Sequence, residues 1–162
     1  MAQKLAKESD PFREQLIAHL TEDHAHAGFD SAVKDFPAEL RGQRPEGVPY
    51  SAYQLVEHIR IAEWDIVEYA LNPKHKSPEF PDGYWPKSPE PPDANAWDKS
   101  IAGFRAYRKK LVGALEKMDV LAPIKHAKNQ TLASKTILVI DHNAYHLGQL
   151  VLLRRLLGAW RD

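Results

Sequence analysis

Apolar residues recur along this chain at helical spacing, in four blocks separated by stretches rich in proline, glycine or charge. The first block places Phe12, Leu16, Leu20, Phe29, Val33 and Phe36 on one broad face. Asp10 followed by Pro11 marks its start, an N-cap residue and then a proline at the first helical position. The spacing predicts a helix from there to about Phe36. Its middle, Asp23-His24-Ala25-His26-Ala27-Gly28, is polar and weakened by glycine. The second block opens at Ser51, with Gln54 three residues on, the signature of a capping box. It predicts a helix to about Leu71 with Leu55, His58, Ala62, Asp65, Ile66 and Tyr69 along one side. Asp93 stands as the cap of a third helix, about Ala94 to Met118. Its apolar face carries Trp97, Ile101, Phe104, Leu111 and Leu115, while Arg105, Arg108, Lys109 and Lys110 form a solvated face. Thr131 caps the fourth, which is expected to reach Trp160.

The connections differ in kind. Residues 37–49 hold Pro37, Gly42, Pro45, Gly47 and Pro49 and read as an ordinary link. Between Asn72 and Asp93 stand seven prolines, Pro73, Pro78, Pro81, Pro86, Pro89, Pro91 and Pro92. No helix tolerates that density. The stretch is too long for a tight helical hairpin and suits a crossover running along a bundle. Phe80, Tyr84 and Trp85 cluster in it, so it is expected to pack on the helices, as an anchored loop or as a lid over a site. The expected fold is all-α, a four-helix bundle in a single domain, residues 1–162, with a proline-rich crossover between the second and third helices.

Composition narrows the function. The chain has 162 residues, 43% apolar and 27% charged, the proportions of a water-soluble globular domain. Lys plus Arg and Asp plus Glu are 22 each, which gives no electrostatic case for nucleic acid or an anionic membrane. With no cysteine, disulfides, thiolate zinc sites and a thiol nucleophile of the chain's own are excluded. Met1 to Asp10 is polar, without the apolar core of a signal peptide, and no apolar run suffices to span a bilayer; a cytoplasmic location is expected. The fourth helix carries Leu150-Val151-Leu152-Leu153 and then Leu156-Leu157, more apolar surface than one core face can bury. A homodimer with this helix in the contact is expected, unless the proline-rich segment covers the surplus.

The chemistry sits on the same helix. In Asp141-His142-Asn143-Ala144-Tyr145-His146-Leu147-Gly148-Gln149-Leu150, His142 and His146 are one helical turn apart on one face and can ligate a single metal ion. Gln149 continues the stripe. The alternative is a semi-buried, hydrogen-bonded His pair. His58 falls among core-facing positions, where a lone imidazole is more often a satisfied core residue. His19 and His26 lie near the apolar face of the first helix and fit a polar lining or the surface better than a ligand role. Gly148 weakens the helix by about 1 kcal/mol, which hints at close backbone packing there.

Four helices, a His on the second and a His pair on the fourth resemble the DinB/YfiT-like metalloprotein superfamily over nearly the whole chain. The fourth-helix motif carries the resemblance, together with Tyr50-Ser51-Ala52-Tyr53-Gln54-Leu55-Val56-Glu57-His58 and Gly83-Tyr84-Trp85-Pro86. It implies a four-helix bundle binding one divalent metal through three histidines, which map to His58, His142 and His146. Three neutral imidazoles with an open coordination position make the donor set of a catalytic site, and they suit Zn, Ni, Fe or Cu. This is not a His-Glu-x-x-His site, since Asn143 stands where the glutamate belongs. A general base would come from Asp65, Asp23 or Glu57, each more often a surface or supporting residue. Gln149 could orient a ligand, and Tyr84 and Trp85 could wall a pocket. The resemblance implies a metal-dependent enzyme, first a transferase joining a low-molecular-weight thiol to a small-molecule electrophile, with a metal-dependent hydrolase as alternative. The other class is a non-catalytic, metal-binding stress-response protein.

Overall fold

A computed structural model describes residues 10–22, 24–127 and 129–160. Its α-helices are α1 (Pro11–Thr21), α2 (Phe29–Val33), α3 (Ala52–Leu71), α4 (Ala96–Leu115) and α5 (Leu132–Leu156). Short 3-10 turns occupy Ala38–Leu40 and Asp82–Tyr84. No strand occurs among the described residues, and no described helix is long and apolar enough to cross a membrane. The polar N-terminal stretch, Met1 to Ser9, lies outside the described residues.

The capping chemistry sets the helix starts. Asp10 accepts from the Arg13 amide ahead of α1. Ser51 Oγ accepts from the Gln54 amide while Gln54 Oε1 accepts from the Ser51 amide, the reciprocal box expected for α3. Thr131 and Ser134 form the same box at α5.

Three of the expected helices change their bounds. The first helix stops at Thr21, where Glu22 turns extended, and the chain re-enters a helix only after Gly28. The polar 22–28 stretch offers nothing apolar to bury, so nothing holds a continuous helix to Phe36. Asp93 does not cap α4. Its carboxylate accepts from the Asn95 amide in a turn just ahead of the helix, which begins at Ala96 and ends at Leu115 rather than Met118. The last helix ends at Leu156 instead of Trp160, because Gly158 takes a left-handed φ of 68° that terminates it.

Helix α3 packs against both α4 and α5, with α1 laid across those two. The core divides into two apolar clusters. One joins Phe29, Phe36, Val56, Ile59, Trp97, Phe104 and Leu150. The other joins Leu16, Leu20, Val67, Leu111, Leu115 and Val139. Between them lies a polar layer reached from four helices. Glu63 on α3, its side chain 0% exposed, receives Arg108 Nε at 2.8 Å and Nη2 at 3.0 Å from α4. Asn143 Nδ2 donates to the same carboxylate at 2.8 Å from α5. Arg108 Nη1 also donates to the Leu20 carbonyl at the end of α1. Arg108 therefore does not belong to the solvated face expected of it, whereas Arg105 does, paired at the surface with Asp30.

The segment after α3 contains no α-helix and lies along α3 through side-chain bonds to its carbonyls. Ser51 Oγ donates to Pro89 O and Gln54 Nε2 to Pro86 O. Of its three aromatics, Trp85 packs against the first core cluster and Tyr84 is half-buried. Phe80 is 83% exposed, with its ring edge toward Tyr84 and not on the bundle.

A candidate metal centre

Helix α3 carries His58 and α5 carries His142 and His146 to the interface between the two helices. His58 Nε2 lies 3.1 Å from His142 Nε2 and 3.1 Å from His146 Nε2. One ligand atom from each of the three falls within 4.8 Å of the others. His58 and His146 are buried and His142 half-buried.

What turns those nitrogens inward is the set of acceptors behind them. The Tyr84 carbonyl lies 2.9 Å from His58 Nδ1. A carbonyl only accepts, so Nδ1 carries the hydrogen and Nε2 the lone pair. Gln149 Oε1 lies 2.8 Å from His146 Nδ1. Asn143 Oδ1 lies 3.5 Å from His142 Nδ1, a longer and weaker contact. The amide of Asn143 cannot be reversed, because its nitrogen already donates to Glu63. The His58 lone pair thus faces the other two at about van der Waals contact, and all three ligand atoms lie within 4.8 Å of one another, an arrangement that repels unless a cation lies among them. Nitrogen ligands at about 2.0–2.1 Å from zinc in tetrahedral geometry stand about 3.3 Å apart, close to the observed spacing. The donor set fits a divalent ion.

Electrostatics keep the set in its ligating form. Burial pushes the His58 pKa down to about 4, helped by the two neighbouring imidazoles and opposed by the Tyr84 carbonyl. Burial also lowers His142 and His146, with their amide partners opposing. All three are neutral at pH 7, as metal ligation requires.

Aromatic rings enclose one side. Trp85 stacks on His58 with centroids 3.7 Å apart and planes 4° from parallel, and Tyr50 stacks on the far face of Trp85 at 3.9 Å. Tyr145 meets His146 edge-on at 4.9 Å.

The acidic candidates lie elsewhere. Asp65 is buried on α3 as expected, but Oδ1 meets His75 Nε2 at 2.8 Å and Oδ2 accepts the Tyr84 hydroxyl at 2.7 Å. It ties the loop down. Tyr84 accordingly contributes its backbone carbonyl to His58, while its phenol, raised to about 12 by burial and by Asp65, stays protonated. Glu57 is held by Arg60 and Ser100. Asp23 lies outside the described residues. His19, His24 and His26 stay out of the cluster: the rings of His19 and His24 pack at 4.4 Å, and His24 and His26 bond to backbone carbonyls. A separate cleft of about 550 Å³, lined by His19, His24, Phe29, Arg108, Ile140 and Asn143, opens beside them; the three-His set does not line it. Gly148 packs closely against nothing, since a Cβ there would meet no atom within 4 Å.

A family model of the DinB superfamily matches residues 13–150. The chain belongs to the DinB superfamily. No curated protein and no solved structure matches it. The DinB motif residues of α3 and α5 are thus the ones whose imidazoles converge, and a metal ion is the ligand this family association and the donor set share. In this DinB protein the supporting residues least visible in the sequence were Glu63, Arg108, Tyr50 and His75. Glu63 had a signal, because Ile59, Glu63 and Val67 form one i,i+4 row on α3 whose outer members are apolar and buried. Arg108 follows Phe104 by the same step.

Proposed function

We propose that this DinB protein holds one divalent metal ion between His58, His142 and His146 and transfers a low-molecular-weight thiol to a small electrophilic substrate. The observation that carries the reading is the convergence of three Nε2 lone pairs, each imidazole fixed by an acceptor on its Nδ1. Three protein donors leave coordination positions for a cosubstrate, whereas closed structural sites use four. A bound divalent ion would lower the pKa of a coordinating thiol, so that thiolate is available at neutral pH.

The chain's residues have distinct parts in this scheme. Tyr84, Gln149 and Asn143 hold the tautomers through their oxygens. Trp85 and Tyr50 exclude water from the His58 side and offer an apolar wall for the electrophile. The sulfur–carbon bond forms as the bond to the leaving group breaks, and the thiol proton passes to solvent. The chain has no cysteine, so the sulfur arrives with the cosubstrate.

A hydrolase would need a base to take a proton from water. Asp65, Glu57 and Glu63 are each engaged by other partners, which favours the thiol reading. The test is to incubate metal-loaded protein with a chromogenic electrophile, with and without a panel of low-molecular-weight thiols. Turnover that requires thiol and metal, and is lost in His142→Ala, supports transfer. Ester or amide hydrolysis without thiol supports the hydrolase. No turnover with metal bound and fold intact supports a non-catalytic metal-binding protein.

A further inference from the structure

Where the first block of the chain loses its helix, between Thr21 and Phe29, a cleft of about 550 Å³ opens against α4 and α5. That size is within the roughly 300–1,000 Å³ of small-molecule sites. Its floor is apolar. Phe29 and Phe104 stack there with centroids 3.7 Å apart, and Val112, Ile140, Ala144 and Leu147 continue the floor along α4 and α5. The two walls are unlike. Arg105, Arg108 and Lys109 line the α4 side, while His19, Glu22, His24, His26 and Asp30 line the side between α1 and α2. Two of the cations are already matched, Arg105 by Asp30 across the cleft and Arg108 by Glu63 beneath it. One turn beyond Arg105, the exposed Lys109 has no hydrogen bond or ion pair among the described residues. The side chain of the exposed Glu22 has none either. His24 Nε2 meets the Ala18 carbonyl and His26 Nδ1 the Ala27 carbonyl, both at 3.1 Å. A carbonyl only accepts, so in the neutral ring the other nitrogen of each imidazole offers a lone pair.

We propose that this cleft is a second ligand site, separate from the metal centre, for a small zwitterion with an apolar body, the simplest being a dipeptide of apolar residues. The unmatched charges choose the ligand. Lys109 takes the carboxylate. Glu22 and the imidazole lone pairs take the ammonium group. The side chains lie on the Phe29–Phe104 floor. A simple carboxylic acid would satisfy Lys109 and leave Glu22 unanswered, and a simple amine would do the reverse. The termini of an extended dipeptide stand about 7 Å apart, enough to bridge two charged groups that form no ion pair with each other. Exposed charges alone hold little, so the apolar floor supplies affinity and the two charges supply selectivity. None of the three ligating histidines lines the cleft.

Isothermal titration calorimetry of the full chain with leucyl-phenylalanine tests this, beside its N-acetyl and C-terminal amide forms. Metal-loaded and chelator-treated protein are titrated in parallel, because a free amine and carboxylate also bind metal ions. The free dipeptide is expected to bind both preparations equally, with a Kd at least tenfold below that of either blocked form. Lys109→Glu is expected to remove the preference over the amide, and Glu22→Gln the preference over the N-acetyl form. Ala144→Trp fills the floor and is expected to abolish binding with the melting transition retained. Should that variant fail to fold, the two charge variants, both at exposed positions, carry the test. No binding by the wild type, blocked forms that bind as well as the free one, or a preference that survives both charge variants overturns the proposal. Binding that disappears on chelation places the dipeptide on the metal and overturns it as well.

Discussion

Each imidazole of the centre is held at two points, by an oxygen behind Nδ1 and by its backbone position on α3 or α5. Single-residue changes should therefore be read out on the metal itself. His146→Ala removes one of three donors. Metal analysis of untagged protein should fall from about one ion per chain to a small fraction of that, and undiminished stoichiometry would sink the assignment. Acid should act through the same residues. Burial holds His58 down at about 4 and lowers the other two, whereas histidine in an unfolded chain titrates near 6.5. Between those values the unfolded chain binds more protons than the native one. Stability of the metal-free protein is thus complete above about pH 6.5 and declines as pH falls toward 4. Melting temperatures of chelator-treated protein through that window should show the decline, and His58→Ala should flatten it.

The helices are keyed together by the layer of Glu63, Arg108 and Asn143. A buried carboxylate held by a bidentate guanidinium is costly to leave half-complete. Arg108→Ala strands the Glu63 charge and is expected to destabilise by about 3–5 kcal/mol in chemical denaturation. A loss below about 1 kcal/mol would show that water satisfies the layer. The same layer orients Asn143 and, through it, His142, so Glu63→Gln should weaken metal affinity more than it weakens the fold. Within α4, Gly113 has nothing within 4 Å of its missing Cβ. Gly113→Ala should raise stability by up to about 1 kcal/mol through helix propensity alone, a shift that a urea melt resolves.

For the molecule as a whole, the proline-rich segment is a working part of the centre. Asp65 on α3 holds the segment through His75 and the Tyr84 hydroxyl, and the Tyr84 carbonyl accepts from His58. Loosening the loop should loosen the ion. Tyr84→Phe removes the hydroxyl with its bonds to Asp65 and Ser77, keeps all three histidines of the centre, and is expected to speed metal loss to a chelator several-fold. An unchanged rate would assign the hydroxyl to loop anchoring alone.

Local chemistry was sufficient for much of this. Ser51 with Gln54, Thr131 and Asp10 with Pro11 determined where helices start, because caps act within one turn. The i,i+4 spacing of His142 and His146 determined that they share a face, and the seven prolines determined that residues 72–93 hold no α-helix. What depended on distant partners was invisible. The end of α1 at Thr21 follows from the lack of apolar side chains in the polar stretch beyond it. Asp65 was one of three candidate bases, more often a supporting residue, and only the folded loop delivers His75 and Tyr84 to occupy both its oxygens. Arg108 looked solvated until Glu63, 45 positions away in sequence, met it inside the bundle. A periodic pattern tells which side of a helix is covered. Which polar groups meet on that side is decided by the packing of helices far apart in the chain, since a buried charge is tolerated only where its partner arrives.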